Sequence, residues 1–365
     1  MNQSKIHQGR RIALAAGAAL ACAIAAPSWA ADGPLNIGFV YVSPIGDAGW
    51  TFQHDKGRHE LEAALGDKVK TKVVESVPEG ADAERVIREL AKSGNQLIFT
   101  TSFGYMNPTL KVAKAFPKTK FVHVTGYKTA KNVAQVNARF YEGRYVAGVI
   151  AGTMSKSGQA GYVAAFPIPE VLQGINAFMR GMRSVNPDAS MRIIWTNSWY
   201  DPGKEREASL ALISQGADVL THHTDSPSAV QVAEEKGVYA VGYHSDMSKY
   251  GPKAHLAAVT HNWGDYYVKT AKQVVDGSWK TSMVWGGMKD GFIRVEGLNP
   301  GLPKDLVAKV DQLQADIKAG KLHPFAGPVV DQDGKEIIPA GKTMTDEQMG
   351  QMDFYVQGIV GKLPK

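Results

Sequence analysis

The residues Leu35–Leu65 read LNIGFVYVSPIGDAGWTFQHDKGRHELEAAL, and this stretch decides the fold. An apolar run over Ile37–Val42 leads through a turn rich in Pro and Gly into an amphipathic segment that predicts a helix over 50–65. The loop between a strand and the next helix lies at the carboxyl end of the strand, where parallel α/β sheets hold ligands. We expect a ligand-binding loop around Asp47 and Trp50, although Trp50 could equally pack the helix onto the core.

The alternation of short β-rich runs and helical segments continues outward from this unit, and it restarts at Gly158. Strands separated by single helices pair in parallel with right-handed crossovers. We therefore predict an α/β fold with two doubly wound, Rossmann-like lobes joined by a hinge. The predicted strands are 35–41, 70–75, 96–100, 119–124, 160–165, 190–195, 218–222 and 238–242, and the predicted helices between them are 50–65, 82–93, 106–116, 141–155, 169–184, 202–214 and 226–236.

The expected lobe boundaries follow from this repeat. Residues 33–154 with about 263–282 are assigned to the first lobe, and residues 155–262 with about 283–365 to the second. The tail after Leu322 is rich in Pro, Gly and charge and is expected to wrap the surface.

The loops that follow the predicted strands combine aromatic residues with polar ones. One aromatic residue in a loop is usually part of a core, but six loops at one sheet edge suggest a binding cleft. Aromatic faces and polar edge groups together suit a flat, nitrogen-rich heterocycle. The candidate ligand-binding residues are Asp47, Trp50, Phe103, Tyr105, Phe166, Trp199, His223, Asp225, His244 and Asp246.

Two other chemistries stay open at this point. His222, His223, Asp225 and His244 are of the residue types that bind zinc or manganese, although adjacent His222 and His223 in a strand point to opposite faces. A hydrolase using His and Asp is the other alternative, but the sequence has no phosphate loop, GxGxxG, HExxH or GxSxG motif. We expect neither an enzyme nor a cofactor.

The N-terminus has the pattern of an export signal. Lys5, Arg10 and Arg11 precede an apolar stretch over 12–26, and Ser28 and Ala30 are small residues where a signal peptidase reads. We predict cleavage of a signal peptide, residues 1–30, after Ala30 and export to the periplasm. The Arg pair could also belong to a twin-arginine signal, and lipid anchoring at Cys22 is a less favoured alternative.

Composition excludes several classes of protein. The chain has 365 residues and 44% apolar residues, as in an ordinary globular protein of two domains. Three of its 41 basic residues lie in the predicted signal, which leaves 38 basic against 35 acidic residues. That balance argues against a nucleic-acid partner. Cys22 is the only cysteine, so the exported chain is predicted to have neither disulfides nor thiolate metal sites.

The motifs taken in order resemble the basic membrane protein (BMP, Med-like) family, which are type I periplasmic solute-binding proteins of ABC importers. The resemblance covers nearly all of residues 34–300. It rests on the Asp-x-Gly-Trp loop, on Thr100–Tyr105 (TTSFGY), on Phe140–Gly143 (FYEG), on Asn197–Pro202 (NSWYDP) and on Ser245–Met247 (SDM). It implies a cleft that closes on a purine base or nucleoside and a monomeric protein that delivers the ligand to an inner-membrane permease.

The resemblance also implies roles for single residues. Trp50 and Trp199 match the aromatic residues that sandwich the ligand, Asp47 lies beside the first, and Asp246 matches a later carboxylate. Nucleoside binders that resemble this family typically have Asp where this chain has His244, and a lysine expected further on is replaced by His261–Trp263. We therefore expect a free base such as adenine, hypoxanthine or guanine, with a nucleoside as the alternative, and we expect His223 and Asp225 to read its edge.

Overall fold

A computed structural model describes residues 33–364 of the chain. The predicted cleavage site after Ala30, the twin-arginine pair and Cys22 lie outside the described residues.

Thirteen of the fifteen described strands belong to two large sheets, and these follow the chain in two successive blocks. The first block contains β1 (Leu35–Val40), α1 (Trp50–Leu65), β2 (Val69–Val74), α2 (Ala81–Lys92), β3 (Leu97–Thr100), α3 (Met106–Ala115), β4 (Lys120–Val124) and β5 (Val133–Ala138). The second contains α4 (Phe140–Met154), β6 (Gln159–Ala164), α5 (Pro169–Arg183), β7 (Ser190–Trp195), α6 (Pro202–Ser214), β8 (Val219–His223), α7 (Ser228–Lys236), β9 (Tyr239–His244) and β10 (His255–His261).

The chain then returns to each lobe once more. The remaining elements are α8 (Gly264–Val275), β11 (Met283–Gly286), β12 (Ile293–Glu296), α9 (Lys304–Lys318), β13 (Val329–Val330), β14 (Glu336–Ile338), α10 (Asp346–Gly350) and β15 (Ile359–Val360). Helix α8 packs on α1, and β11 pairs with β5 in the first lobe. Strand β12 pairs with β10 in the second lobe.

The sheet orders confirm the predicted doubly wound α/β lobes. The first sheet has the order β11-β5-β4-β3-β1-β2 and is parallel throughout; the second has the order β12-β10-β9-β8-β6-β7-β15, with only β12 antiparallel. Strands β1, β3 and β8 are almost completely buried, as expected for parallel strands covered by helices on both faces. The carboxyl ends of the central strands of both sheets therefore point at the cleft between the lobes.

Helix α4 packs in the second lobe, whereas the expected lobe boundary at 154–155 assigns it to the first. It lies against α5 and against β10 and β12, all in the second lobe. Gly148 and Gly152 permit this approach: a Cβ on Gly148 would collide with the backbone of Phe178, and one on Gly152 would lie 2.6 Å from the carbonyl oxygen of Met182. The chain accordingly passes between the lobes before α4. The third passage lies between β11 and β12, a few residues after the expected position near 282.

Two parts of the fold differ from the sequence-based assignment. Strand β5 was not predicted, because Val133–Ala138 (VAQVNA) is short and carries polar residues, yet it pairs with both β4 and β11. The tail does cross the surface, but it also adds β15 in parallel to the edge of the second sheet beside β7. None of the helices within residues 33–364 has the length and apolar character needed to cross a membrane.

Candidate functional site

A cavity lies between the two lobes at the carboxyl ends of their strands. Loops that follow β1, β3 and β4 form one wall, and loops that follow β6, β7, β8 and β9 form the other. The lining residues are Val42, Trp50, Ser102, Phe103, Thr125, Glu170, Trp199, His223, Thr224, Asp225 and His244.

Trp50 provides the largest apolar surface of the first-lobe wall. It is the first residue of α1, and its indole Nε1 donates a hydrogen bond to the carbonyl oxygen of Thr101 at 2.7 Å. His54 and His244 contact its ring edge-to-face, with centroids 4.4 and 5.3 Å away. Only 9% of the residue is exposed. The indole is thus held by both lobes, in a fixed orientation at the cavity.

Trp199 enters the cavity from the second lobe. It belongs to the loop between β7 and α6, and Phe166 contacts its ring edge-to-face at 5.0 Å. The indole Nε1 donates across the cleft to Glu79 Oε1 of the first lobe at 3.2 Å. Each lobe therefore contributes one tryptophan, and the second of them is tied to the first lobe.

Glu170 and His223 form a buried polar pair on the second-lobe wall. His223 Nε2 lies 3.8 Å from Glu170 Oε1, too far for a direct hydrogen bond. Burial raises the pKa of Glu170 to about 8, opposed by a hydrogen bond from Asn137, and burial lowers the pKa of His223 well below its ordinary value. Glu170 Oε2 and His223 Nδ1 are buried without a hydrogen-bond partner among the described residues. This pair has hydrogen-bonding capacity that the rest of the protein does not use.

His244 approaches the cavity next to this pair. Its Nδ1 lies 3.0 Å from His261 Nε2, and the indole nitrogen of Trp263 lies 2.6 Å from His261 Nδ1. Burial lowers the pKa of His261 to about 3 and that of His244 well below its ordinary value. Both imidazoles are therefore neutral at pH 7.

Asp225 joins the lobes at the edge of the cavity. Its carboxylate accepts hydrogen bonds from Ser43 Oγ and from the backbone nitrogen of Trp50, both in the first lobe. Burial raises its pKa to about 7, and the bond from Ser43 opposes this rise. A further cross-lobe bond runs from the Gly49 nitrogen to Ser245 Oγ at 2.8 Å. The structure thus shows the two lobes in direct contact around the cavity.

Six of the ten candidate residues line the cavity, and four lie elsewhere. Tyr105 is fully buried and donates its hydroxyl hydrogen bond to the carbonyl oxygen of Val77, because the turn after Phe103 directs it away from the cleft. Phe166 supports Trp199 from behind. Asp47 and Asp246 are 70% and 46% exposed. The carboxylate of Asp47 therefore lies on the outer rim of the cleft, where it pairs with Lys249, and that of Asp246 faces solvent.

Five lining residues were not among the candidates. They are Val42, Ser102, Glu170, Thr224 and Thr125. Glu170 follows Pro169 in the first turn of α5, a position where acidic residues are common on exposed helices. The candidate Phe166 lies in the loop just before α5, four residues ahead of Glu170, so the available signal was this loop.

The metal alternative requires a cluster of ligand side chains around the cavity histidines. Within residues 33–364, no group of three or more His, Cys, Asp or Glu side chains could hold a metal ion. His222 does not line the cavity; its Nδ1 contacts the carbonyl oxygen of Thr224 at 3.1 Å. This agrees with the expectation that adjacent strand residues point to opposite faces.

A second cleft adjoins the cavity. It opens to solvent and shares Phe103, Thr125 and Glu170 with the cavity. Its outer end is bounded by Arg139, which forms an ion pair with Asp346 at 2.6 Å. The cavity therefore continues toward the surface along one side.

Comparison with known families gives a match over most of the chain. The family described as ABC transporter substrate-binding protein, PnrA-like, matches residues 35–323.

Two curated relatives are similar over nearly the full length. A purine-binding protein of Brucella abortus is 54% identical over 335 residues, which is 92% of this chain and 95% of the relative. A putative ABC transporter glucose-binding protein of Haloferax volcanii is 36% identical over 330 residues, which is 90% of this chain and 81% of the relative.

Solved structures show the same fold. A solute-binding protein of an ABC transporter system from Aeropyrum pernix superimposes with a TM-score of 0.69 at 20% identity, covering 80% of this chain and 93% of that one. A solute-binding protein from Conexibacter woesei gives a TM-score of 0.63 at 22% identity, covering 79% and 98%.

Proposed function

Because the chain belongs to the family of PnrA-like ABC transporter substrate-binding proteins, we propose that it captures a purine base between its lobes and delivers it to an inner-membrane permease. We also propose that it does so in the periplasm, after removal of the predicted signal peptide. The Brucella relative at 54% identity, named a purine-binding protein, supports this choice of ligand.

The observation that carries the proposal is the composition of the cavity. Trp50 and Trp199 enter it from opposite lobes, and polar groups at its edge include Glu170, His223 and His244. A purine has two flat faces and an edge of ring nitrogens and exocyclic groups. Aromatic residues stack on such faces whichever substituents the ring carries. The polar groups discriminate between purines by the groups at the ring edge.

Capture is proposed to proceed by closure of the lobes. A base resting on Trp50 gains Trp199 and the polar wall only when the lobes meet, and the bonds of Asp225 to Ser43 and Trp50 then hold them together. Binding energy is in this way used to select the closed shape, which differs from the empty protein and can be recognised by a permease.

A free base is favoured over a nucleoside by the residue at position 244. Nucleoside binders that resemble this chain carry a carboxylate there for the ribose hydroxyls, and His244 offers no such acceptor pair. A purine nucleoside is the second candidate, since the adjoining open cleft has room for a sugar beside the cavity.

A thermal-shift panel of the purified protein tests the proposal. The panel contains adenine, hypoxanthine, guanine, their nucleosides and glucose, the sugar named in the Haloferax relative. A ligand that binds only the folded protein raises the melting temperature, and we expect at least one base to raise it more than its nucleoside does. Trp50→Ala should remove most of that rise.

Three outcomes would contradict the proposal: no rise with any purine, a larger rise with glucose, or stoichiometric zinc or manganese that dialysis against EDTA removes together with binding. Incubation of the protein with bases and nucleosides should leave them chemically unchanged, as expected of a binding protein.

A further inference from the structure

Three buried aromatic side chains form a continuous hydrogen-bonded relay that ends at the cavity. They are Trp263, the residue just before α8, His261 at the end of β10 and His244 at the end of β9. At most 4% of any of the three is exposed, so water has little access to the two linking bonds. The relay connects the buried core of the protein to His244, which lines the cavity.

The first link fixes the proton of His261. The indole nitrogen of Trp263 carries a hydrogen and can only donate, so His261 Nδ1, 2.6 Å away, has to accept. A proton on Nδ1 would place two donors against each other at that distance. A neutral His261 must therefore carry its proton on Nε2.

The second link passes this choice to His244. His261 Nε2 carries the proton and lies 3.0 Å from His244 Nδ1, which therefore accepts. The remaining proton of a neutral His244 then resides on Nε2. His244 lines the cavity, and its Nε2 has no hydrogen-bond partner among residues 33–364, so this N–H group is left for a ligand.

The backbone of His244 has the kind of strain that is common at binding sites. Its φ angle is 70°, in the left-handed region that residues other than glycine rarely adopt. Thr125, on the opposite wall, has φ 68°. Strained backbone of this kind persists where surrounding contacts fix it, and it concentrates at binding sites. Here the bond from His261 holds the imidazole in place.

The relay is anchored from the other lobe as well. Gln53 Nε2, in α1, donates to the carbonyl oxygen of His261 at 2.6 Å. His54, one residue further, stacks on Trp263 with centroids 4.7 Å apart. The ring positions are thus fixed by packing between the lobes as well as by the two hydrogen bonds.

We propose that Trp263 and His261 are positioning residues that hold His244 as a fixed Nε2–H donor, so that the site reads a hydrogen-bond acceptor on its ligand. The choice of ligand class rests on the proposed function. For a purine, the group read is an unprotonated ring nitrogen or a 6-oxo oxygen, and an exocyclic amine does not satisfy it.

Nitrogen NMR of the imidazoles tests the relay without any ligand. The purified protein, labelled with ¹⁵N-histidine, should show His244 and His261 both protonated on Nε2 and bare on Nδ1 at pH 7. Spectra of His244→Asn and His261→Asn assign the signals. Protonation of either residue on Nδ1, or a doubly protonated His244, would overturn the proposal.

A ligand series tests the consequence for recognition. Calorimetry with the preferred purine and its 3- and 7-deaza analogues, and for adenine also the 1-deaza analogue, removes one ring acceptor at a time. One analogue, or the 6-deoxo form of an oxopurine, should bind roughly tenfold more weakly. In Trp263→Phe this ratio should fall to roughly threefold or less, because His261 and His244 can then exchange tautomers.

Trp195→Phe is the matched control. It removes an indole hydrogen bond of similar kind, from Trp195 Nε1 to Tyr355 Oη at 3.2 Å, away from the cavity, and should leave the ratio unchanged. An equal ratio in Trp263→Phe and the wild type would overturn the proposal. If no purine binds at all, the proposed function fails, while the NMR result still decides whether the relay exists.

Discussion

The two lobes contribute chemically different walls to one cavity. The first-lobe wall consists of Val42, Trp50, Ser102, Phe103 and Thr125, none of which ionises near neutral pH. The second-lobe wall contains Glu170, His223, Asp225 and His244 beside Trp199 and Thr224, and the pKa of each of its four ionisable groups is displaced mainly by burial.

This difference assigns separate tasks to the walls. A neutral aromatic and hydroxyl surface can hold any flat ligand, whereas buried polar groups discriminate between donors and acceptors. We therefore expect substitutions in the first wall to lower the affinity for all purine ligands alike. Changes in Glu170, His223 or His244 of the second wall should alter the ranking of the ligands.

The largest expected effect comes from the aromatic residues. Trp50→Ala should weaken binding of every purine ligand about tenfold to a hundredfold, since base stacking on an aromatic side chain contributes about 1–3 kcal/mol. Trp199→Ala should do the same from the other lobe. Calorimetry with each ligand measures the loss, and Trp279→Ala, which lies away from the cavity, is the control. Unchanged affinity in both variants would refute stacking.

The next effect concerns the bonds between the walls. At pH 8, above its pKa of about 7, the Asp225 carboxylate is ionised and accepts charge-assisted bonds from Ser43 and Trp50, each stronger than a neutral hydrogen bond. Asp225→Asn should therefore weaken binding roughly tenfold at that pH. Small-angle scattering should show less compaction with ligand than in the wild type. Asp246→Asn changes an exposed carboxylate of the same lobe, and the lobes of this variant should close as in the wild type. Equal compaction of the two variants with ligand would contradict the role of Asp225.

Glu170 gives the second wall a measurable pH dependence. Its pKa of about 8 exceeds the ordinary 4.5, so the folded protein holds this proton more tightly than the unfolded chain does. The stabilisation is complete below about pH 4.5 and is lost as the pH rises through 8. The difference in melting temperature between Glu170→Gln and the wild type should therefore shift by a few degrees in favour of the variant as the pH rises from 5 to 9.

Exposed Glu207→Gln serves as the reference for that measurement. It should keep a constant difference from the wild type over the whole pH range. A constant difference for Glu170→Gln as well would show that Glu170 ionises normally.

The smallest effect is expected at the outer rim. Asp47 bridges the lobes through Lys249 at 2.6 Å, but both side chains are more than half exposed, and such pairs contribute little and are screened by salt. Asp47→Asn should change purine affinity less than threefold, and the difference should vanish at 1 M salt in calorimetry. A tenfold loss would place Asp47 in the site after all.

The sequence predicted the fold well because its signals were local. The alternation of strands and helices needs only the periodicity of each segment, and helix α1 was predicted with its observed ends at Trp50 and Leu65. Strand β5 and the position of α4 depended instead on partners distant in the chain, namely β11 for the strand and β10 and β12 for the helix. Periodicity carries no information about those partners.

The site was predicted in part for a related reason. The loops were identified correctly, but within a loop the sequence does not show which side chain turns inward. Tyr105 and Phe103 are two residues apart, yet only Phe103 lines the cavity. Glu170 has the sequence context of an exposed helix start, and only the packing of α5 beneath the cleft shows that it is buried.

The two-residue strand β15 has a consequence for how the protein behaves in solution. Without it, β7 would end the second sheet with a row of unpaired backbone N–H and C=O groups, which invite another molecule to add a strand. Asn176 of α5 holds the segment in place by donating to the carbonyl oxygen of Phe354 and accepting from the nitrogen of Val356. Strand β15 thus covers part of this sheet edge, and its removal should expose backbone groups to pairing with a second molecule.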